Sequence, residues 1–169
     1  GLNESGEQVL IPFYQQINQT GLDLQTVKGD WLLKLEAIYR IGQGDDFIAG
    51  QGGFEYSFVN VSQTGIDLGV IGEYAYDERG DDATTPFQND AFLALRLGLN
   101  DAASSELLAW FSKDLSNPSY TLGLEASRRF GNNWLLSFEV RALMDSPEDS
   151  PLYSMRDDGF VRLELAYYF

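Results

Sequence analysis

The chain has 169 residues, with 11 Lys and Arg against 26 Asp and Glu, a formal net charge of -15, and neither His nor Cys. Without imidazole or thiol it can hold no Ser-His-Asp or Cys-His nucleophile system, no His-bearing zinc site and no redox CxxC pair, and its scattered Lys and Arg offer nucleic acid no phosphate-binding surface. The length suits one domain, no apolar run nears the ~18 residues of a spanning helix, and residues 1–8 lack the basic and apolar regions of a signal peptide, as expected of a processed chain or a fragment.

Residues 1–16 are read as an N-terminal segment, part of a strand or the remnant of a loop, and 9–13 is the stretch that could add a strand. From residue 17 the chain divides into segments of about ten residues in which every second position is apolar, the period of a β-strand with one oily face. The segment 17–26 shows this weakly. Trp31, Leu33, Leu35, Ala37, Tyr39 and Ile41 show it cleanly, interleaved with Lys34, Glu36 and Arg40. A weaker segment, 48–59, places Phe54, Tyr56 and Phe58 on one face. Then Ile66, Leu68, Val70, Tyr74 and Tyr76 alternate with Asp67, Glu73 and Asp77, and Ala91, Leu93, Leu95, Leu97 and Leu99 with Arg96. After a weak segment at 105–114, Tyr120, Leu122, Leu124 and Ala126 oppose Glu125, Ser127 and Arg129. Trp134, Leu136, Phe138, Val140 and Ala142 oppose Ser137, Glu139 and Arg141, and Val161, Leu163, Leu165, Tyr167 and Phe169 oppose Arg162 and Glu164.

These make about nine strands. Short turns (27–30, 61–64, 100–104, 131–133) alternate with long polar connections at 77–90 and 145–158, filled with Gly, Asn, Asp and Ser as turns require. The fold class expected is all-β: an antiparallel up-and-down transmembrane β-barrel of 8 to 10 strands over 17–169. Bacterial single-chain barrels have even strand numbers, so a count of nine implies one strand too many, a tenth strand at 9–13, or missing residues that complete the barrel.

An ordinary antiparallel sandwich also alternates, so the polar face decides between membrane and water. Opposite the oily stripe stand Lys34, Arg40, Arg96, Arg129, Arg141 and Arg162 beside Glu36, Asp67, Glu73, Glu125, Glu139 and Glu164, nearly balanced in sign. A polar barrel interior needs its charges paired or wet, so these twelve are the expected lumen lining, with the excess acid assigned to loops. Of the adjacent Arg128 and Arg129 only one can point inward. Aromatic residues gather at segment ends: Trp31, Trp134, Phe58, Phe130, Tyr167 and Phe169 at the short-turn end, and Tyr39, Tyr74, Tyr76 and Tyr120 at the other. Two such girdles mark the headgroup boundaries of a bilayer.

The stretches GDWLLKLEAIYR (29–40), GGFEYSF (52–58), PFQNDAF (86–92), EASRRFG (125–131) and RDDGFVRLELAYYF (156–169) resemble the carboxyl-terminal part of a group of functionally uncharacterised outer-membrane proteins of Gram-negative bacteria. The resemblance covers most of the chain from residue 17 and involves strand and turn sequences alone. It implies a location in the outer membrane and a closing strand ending at Phe169 that the barrel-insertion machinery reads. It also implies longer relatives with further strands ahead of this region, and it brings over no catalytic residue.

The function expected is therefore that of an integral outer-membrane β-barrel, a pore for passive transport or a structural element with a charged Arg and Glu interior. Its expected partners are membrane lipids, lipopolysaccharide and small polar solutes. The alternative is a soluble all-β binding module. No enzyme activity, cofactor or metal is expected. Glu36 with Glu73, or Glu125 with Glu139, could act as a glycosidase pair only at a suitable separation. The acidic connections 77–90 and 145–158 do not match an EF-hand and are read as solvated loops. Gly50, Gly52 and Gly53 indicate a bend or close packing rather than a phosphate loop, since no helix follows.

Overall fold

The computed structural model describes residues 7, 10, 14, 16–42, 44–148, 150 and 152–169. Every segment read from the alternation forms a strand: β1 (Asn18–Lys28), β2 (Trp31–Ile41), β3 (Phe47–Phe58), β4 (Asp67–Asp77), β5 (Asn89–Gly98), β6 (Glu106–Asp114), β7 (Tyr120–Phe130), β8 (Trp134–Met144) and β9 (Phe160–Tyr167). They form one sheet in chain order, each strand antiparallel to the next. The helical pieces among the described residues are three single 3-10 turns, Val61–Gln63, Gly80–Asp82 and Tyr153–Met155.

Tight reversals at one end set the register. Gly29, at φ 61, opens the two-residue turn that brings Lys28 opposite Trp31, a backbone conformation that glycine adopts without strain. Gly131, at φ 59, does the same for the turn that seats Phe130 opposite Trp134. Opposed residues share a face, so the register carries the two-residue phase of β1 unbroken to β9.

One face presents the alternating Leu, Val, Ala, Phe, Trp and Tyr. Leu35, for example, lies between Leu24 and Gly52, Leu95 between Val70 and Ala109, and Leu124 between Ala109 and Val140. The other face is charged and concave. Lys34 of β2, Glu55 of β3, Glu73 of β4, Ala94 of β5 and Leu108 of β6 line a single hollow of about 180 Å³, so side chains from five successive strands converge over it. Glycines let the sheet curl. A Cβ on Gly53 would come within 2.7 Å of the Gly72 carbonyl oxygen, and one on Gly50 within 2.7 Å of that of Glu36. The bend or close packing expected of the β3 glycines is thus met at both positions.

The sheet does not close on itself: β1 pairs with β2 alone and β9 with β8 alone. This departs from a barrel completed within the chain. Nine strands in an antiparallel meander send β1 and β9 in the same direction, so the two edges cannot join by antiparallel bonds. The stretch 9–13, which could supply a tenth strand, lies outside the described residues except for Leu10, which is not in a strand.

Apolar side chains are mostly not covered by protein. Phe47 and Ala94, both on the concave face, are the buried apolar residues among those described, whereas Leu33, Leu95 and Leu163 on the convex face are 45%, 43% and 69% exposed.

Candidate functional site

The concave face is the candidate site, because it gathers the charged side chains. All twelve residues expected to line an interior stand on it: Lys34, Glu36 and Arg40 from β2, Asp67 and Glu73 from β4, Arg96 from β5, Glu125 and Arg129 from β7, Glu139 and Arg141 from β8, and Arg162 and Glu164 from β9.

The expected balance of sign is not found. The register adds Asp23, Glu55, Asp77, Asp90, Glu106 and Asp114 to this face and no further base, so twelve acids oppose six bases. The excess acid is therefore on the concave face as well as in the connections. Asp77 already stood in the alternation of its segment; the other five escaped it for identifiable reasons. Asp90 falls at the end of a stretch that reads as a connection, Asp23, Glu106 and Asp114 belong to weakly patterned strands, and Glu55 stands between the more conspicuous Phe54 and Tyr56.

The charges form ladders rather than isolated groups. Arg96 pairs with Glu55 although β4 lies between their strands, because Gly69 presents no side chain to separate them. Arg141 reaches Glu125 at 3.3 Å and Glu139 at 2.8 Å, Arg162 approaches Glu139 at 3.9 Å, and Arg162 also pairs with Glu164. Arg40 donates from Nε to Gln19 at 2.8 Å, and Gln51 donates to Glu36 at 3.3 Å. Glu125 and Glu139 are directly opposed in register with Arg141 bridging them, and Glu36 and Glu73 line one small hollow beside Gly52 and Gly53. Both candidate carboxylate pairs are thus neighbours, and the first is part of an ion-pair ladder. A hollow of about 460 Å³ on this face is bordered by Arg96, Glu106, Glu125, Glu139 and Arg141 with Ser127 and Ser137. It presents carboxylates, guanidinium groups and hydroxyls side by side to any small polar solute.

At the loop end, Arg79 from the β4–β5 connection grips Asp77 with Nε at 2.9 Å and a terminal nitrogen at 2.6 Å. Its guanidinium lies 3.7 Å from the Phe47 ring centroid, with that of Arg40 at 5.5 Å, which accounts for a buried phenylalanine on a charged face. At the turn end, Asp101 accepts from the Ser105 N–H and Oγ–H at 2.8 Å each, with Arg128 at 3.5 Å. These donors hold its carboxyl below the usual aspartate range.

The convex face carries the other expected feature. Trp31, Phe58, Phe130, Trp134 and Tyr167 stand on it at the short-turn end, and Tyr39, Tyr74, Tyr76 and Tyr120 toward the other; Phe169 follows β9 and is fully exposed. Ring contacts tie the turn-end band across strands, Trp31 to Tyr56 at 4.6 Å and Trp134 to Tyr167 at 4.8 Å, while at the far end the Tyr39 and Tyr74 hydroxyls donate to Asp46 and Asn89. No Asp or Glu occupies a convex strand position among the described residues. The bases there, Lys28, Lys113 and Arg128, all lie within the last three residues of their strands. Arg128 thus faces the convex side and Arg129 the concave one, as their adjacency required. Comparison of the chain with protein-family models, curated proteins and solved structures finds no match.

Proposed function

We propose that this chain is an integral β-barrel protein of a Gram-negative outer membrane, with the oily convex face against lipid and the acidic trough lining a path for small polar solutes. One observation carries this reading: a face of Leu, Val, Ala and aromatic side chains that spans all nine strands, holds no acid, and is covered by no other part of the described chain. In water, each exposed Leu or Phe forgoes about 1.5–3 kcal/mol of burial, a loss repeated over many side chains. Hydrocarbon removes that loss. The strand lengths of 8 to 12 residues suit a tilted crossing, and the aromatic bands at both ends suit the two headgroup layers.

Closure follows from the same chemistry. Unpaired backbone groups along β1 and β9 would each cost several kcal/mol in lipid, so the barrel is completed by further strands, odd in number, antiparallel to both edges. Lipopolysaccharide at the loop end and the insertion machinery at the exposed Phe169 are the partners this orientation proposes.

The test is migration in detergent gels before and after heating, together with solubility when detergent is withdrawn. A heat-dependent shift and loss from solution without detergent are expected. A monodisperse, detergent-free monomer would instead establish the soluble all-β binding module. The ladder from Glu125 through Arg141 and Glu139 to Arg162 favours a second reading within the membrane class, a filled barrel whose charges are structural. Conductance across a planar bilayer separates the two: stable current steps mark a pore, and silence at high protein load marks a filled barrel.

A further inference from the structure

At the loop end of the trough, β4, β5 and β6 place three aspartates on the concave face: Asp77, Asp90 and Asp114. Asp77 is neutralised by Arg79. The other two differ in kind. Asp90 and Asp114 are directly opposed in register, each is 8% exposed, and among the described residues no Lys or Arg comes within ion-pairing distance of either. Lys113 projects to the other side of β6, where its ammonium donates to the carbonyls of Asn117 at 2.7 Å and Ser119 at 3.3 Å. Asp114 accepts the N–H groups of Ser116 and Asn117 and the Asn117 side-chain amide, while Asp90 accepts only the N–H of Asn89, at 3.3 Å.

Two carboxylates buried face to face, with the Lys113 ammonium acting on Asp90 only from beyond ion-pairing distance, are costly unless a cation or proton lies between them. The surroundings favour a metal ion. Asp90, Ser112, Asp114 and Ser119 line a cavity of about 10 Å³, the space of one water molecule or ion, under Leu152 of the β8–β9 connection. Ser119 is 2% exposed, and its hydroxyl oxygen in this cavity has no hydrogen-bond partner. Gln88, just ahead of β5 and two residues before Asp90, is 3% exposed, and its side-chain carbonyl oxygen likewise has none. Every polar side chain lining the cavity offers oxygen, the donor set hard cations take, and the two carboxylates match a divalent charge. We propose that Asp90, Asp114 and Ser119 hold a divalent hard cation of the calcium class beneath the loops, with Asp90 and Asp114 as its anionic ligands. The site does not depend on the membrane reading, since it rests on side chains packed against one another at the loop end.

The experiment uses the folded 169-residue chain after chelator treatment, titrated with calcium to about 10 mM, above the weak end of extracellular calcium sites. Thermal unfolding and terbium luminescence sensitised by the adjacent Tyr120 are the readouts. Expected are a calcium-dependent rise in the midpoint and terbium emission that calcium displaces. Both should vanish in the D90N/D114N double variant, and calcium affinity should weaken about tenfold in S119A. The exposed pair D81N/D82N should leave both intact. S119A retains both carboxylates and keeps the test open if the double variant does not fold. No midpoint shift or emission from the wild-type chain, the result for a cavity holding water alone, overturns the proposal, as does equal terbium binding in a folded double variant.

Discussion

Asp101 shows how one carboxylate can make a turn sensitive to acid. Its folded pKa lies below the unfolded value of ~3.9, so its contribution to stability is complete above that value and is lost as pH falls through the folded pKa. D101N should therefore lower the unfolding midpoint at pH 7 and leave it nearly unchanged relative to wild type once the pH is below the folded pKa; an equal gap at both pH values would contradict this account. Gly123 is the steric counterpart. A Cβ there would meet the Trp110 ring at 2.3 Å, so G123A should cost about 1–3 kcal/mol of unfolding free energy, and W110L in the same chain should recover part of it. Neither contact was legible in the sequence. Trp110 read as one more apolar residue in a weak segment, and its use as a cover for a glycine on the neighbouring strand depends on register. The Arg96 pair with Glu55 was hidden for a similar reason, since it spans two strands and exists because Gly69 lies between them.

At the scale of the strand, legibility followed the contrast between faces. In β2, β8 and β9 large apolar residues alternate with charges, and the phase was plain. In β6 the run Leu107, Leu108, Ala109, Trp110 and Phe111 is apolar on both faces, because Leu108 and Trp110 fill the concave side. In β1 the convex positions include Thr20, Thr26 and Lys28, and in β3 glycines interrupt the stripe; all three strands were weak in sequence and regular in structure. The two faces should respond differently to the same substitution. In lipid vesicles L95R, on the convex face, should cost about 2–4 kcal/mol of folding free energy, whereas S127R, beside Glu125 on the concave face, should change it little. Equal, small effects of both would count against lipid contact.

For the whole molecule, the surplus of acids on the concave face makes charge selection the expected behaviour of any pore it lines. Carboxylate-rich walls concentrate cations. Under a salt gradient the reversal potential should show cation preference, and substituting Gln for Glu106, Glu125 and Glu139 together should reduce it; anion preference in the wild type would refute the role assigned to the wall. The strand count has a different consequence, which concerns assembly. The chain enters β1 from the loop end and leaves β9 at the turn end, so its edges are like two left-hand gloves: each fits a right-hand partner in an antiparallel clasp, and they could meet each other only side by side, as parallel strands. A second copy in the same orientation brings only more left hands. In the proposed barrel, strands that start at the turn end would close the seam antiparallel to both edges, and whatever supplied them would also set the diameter of the ring.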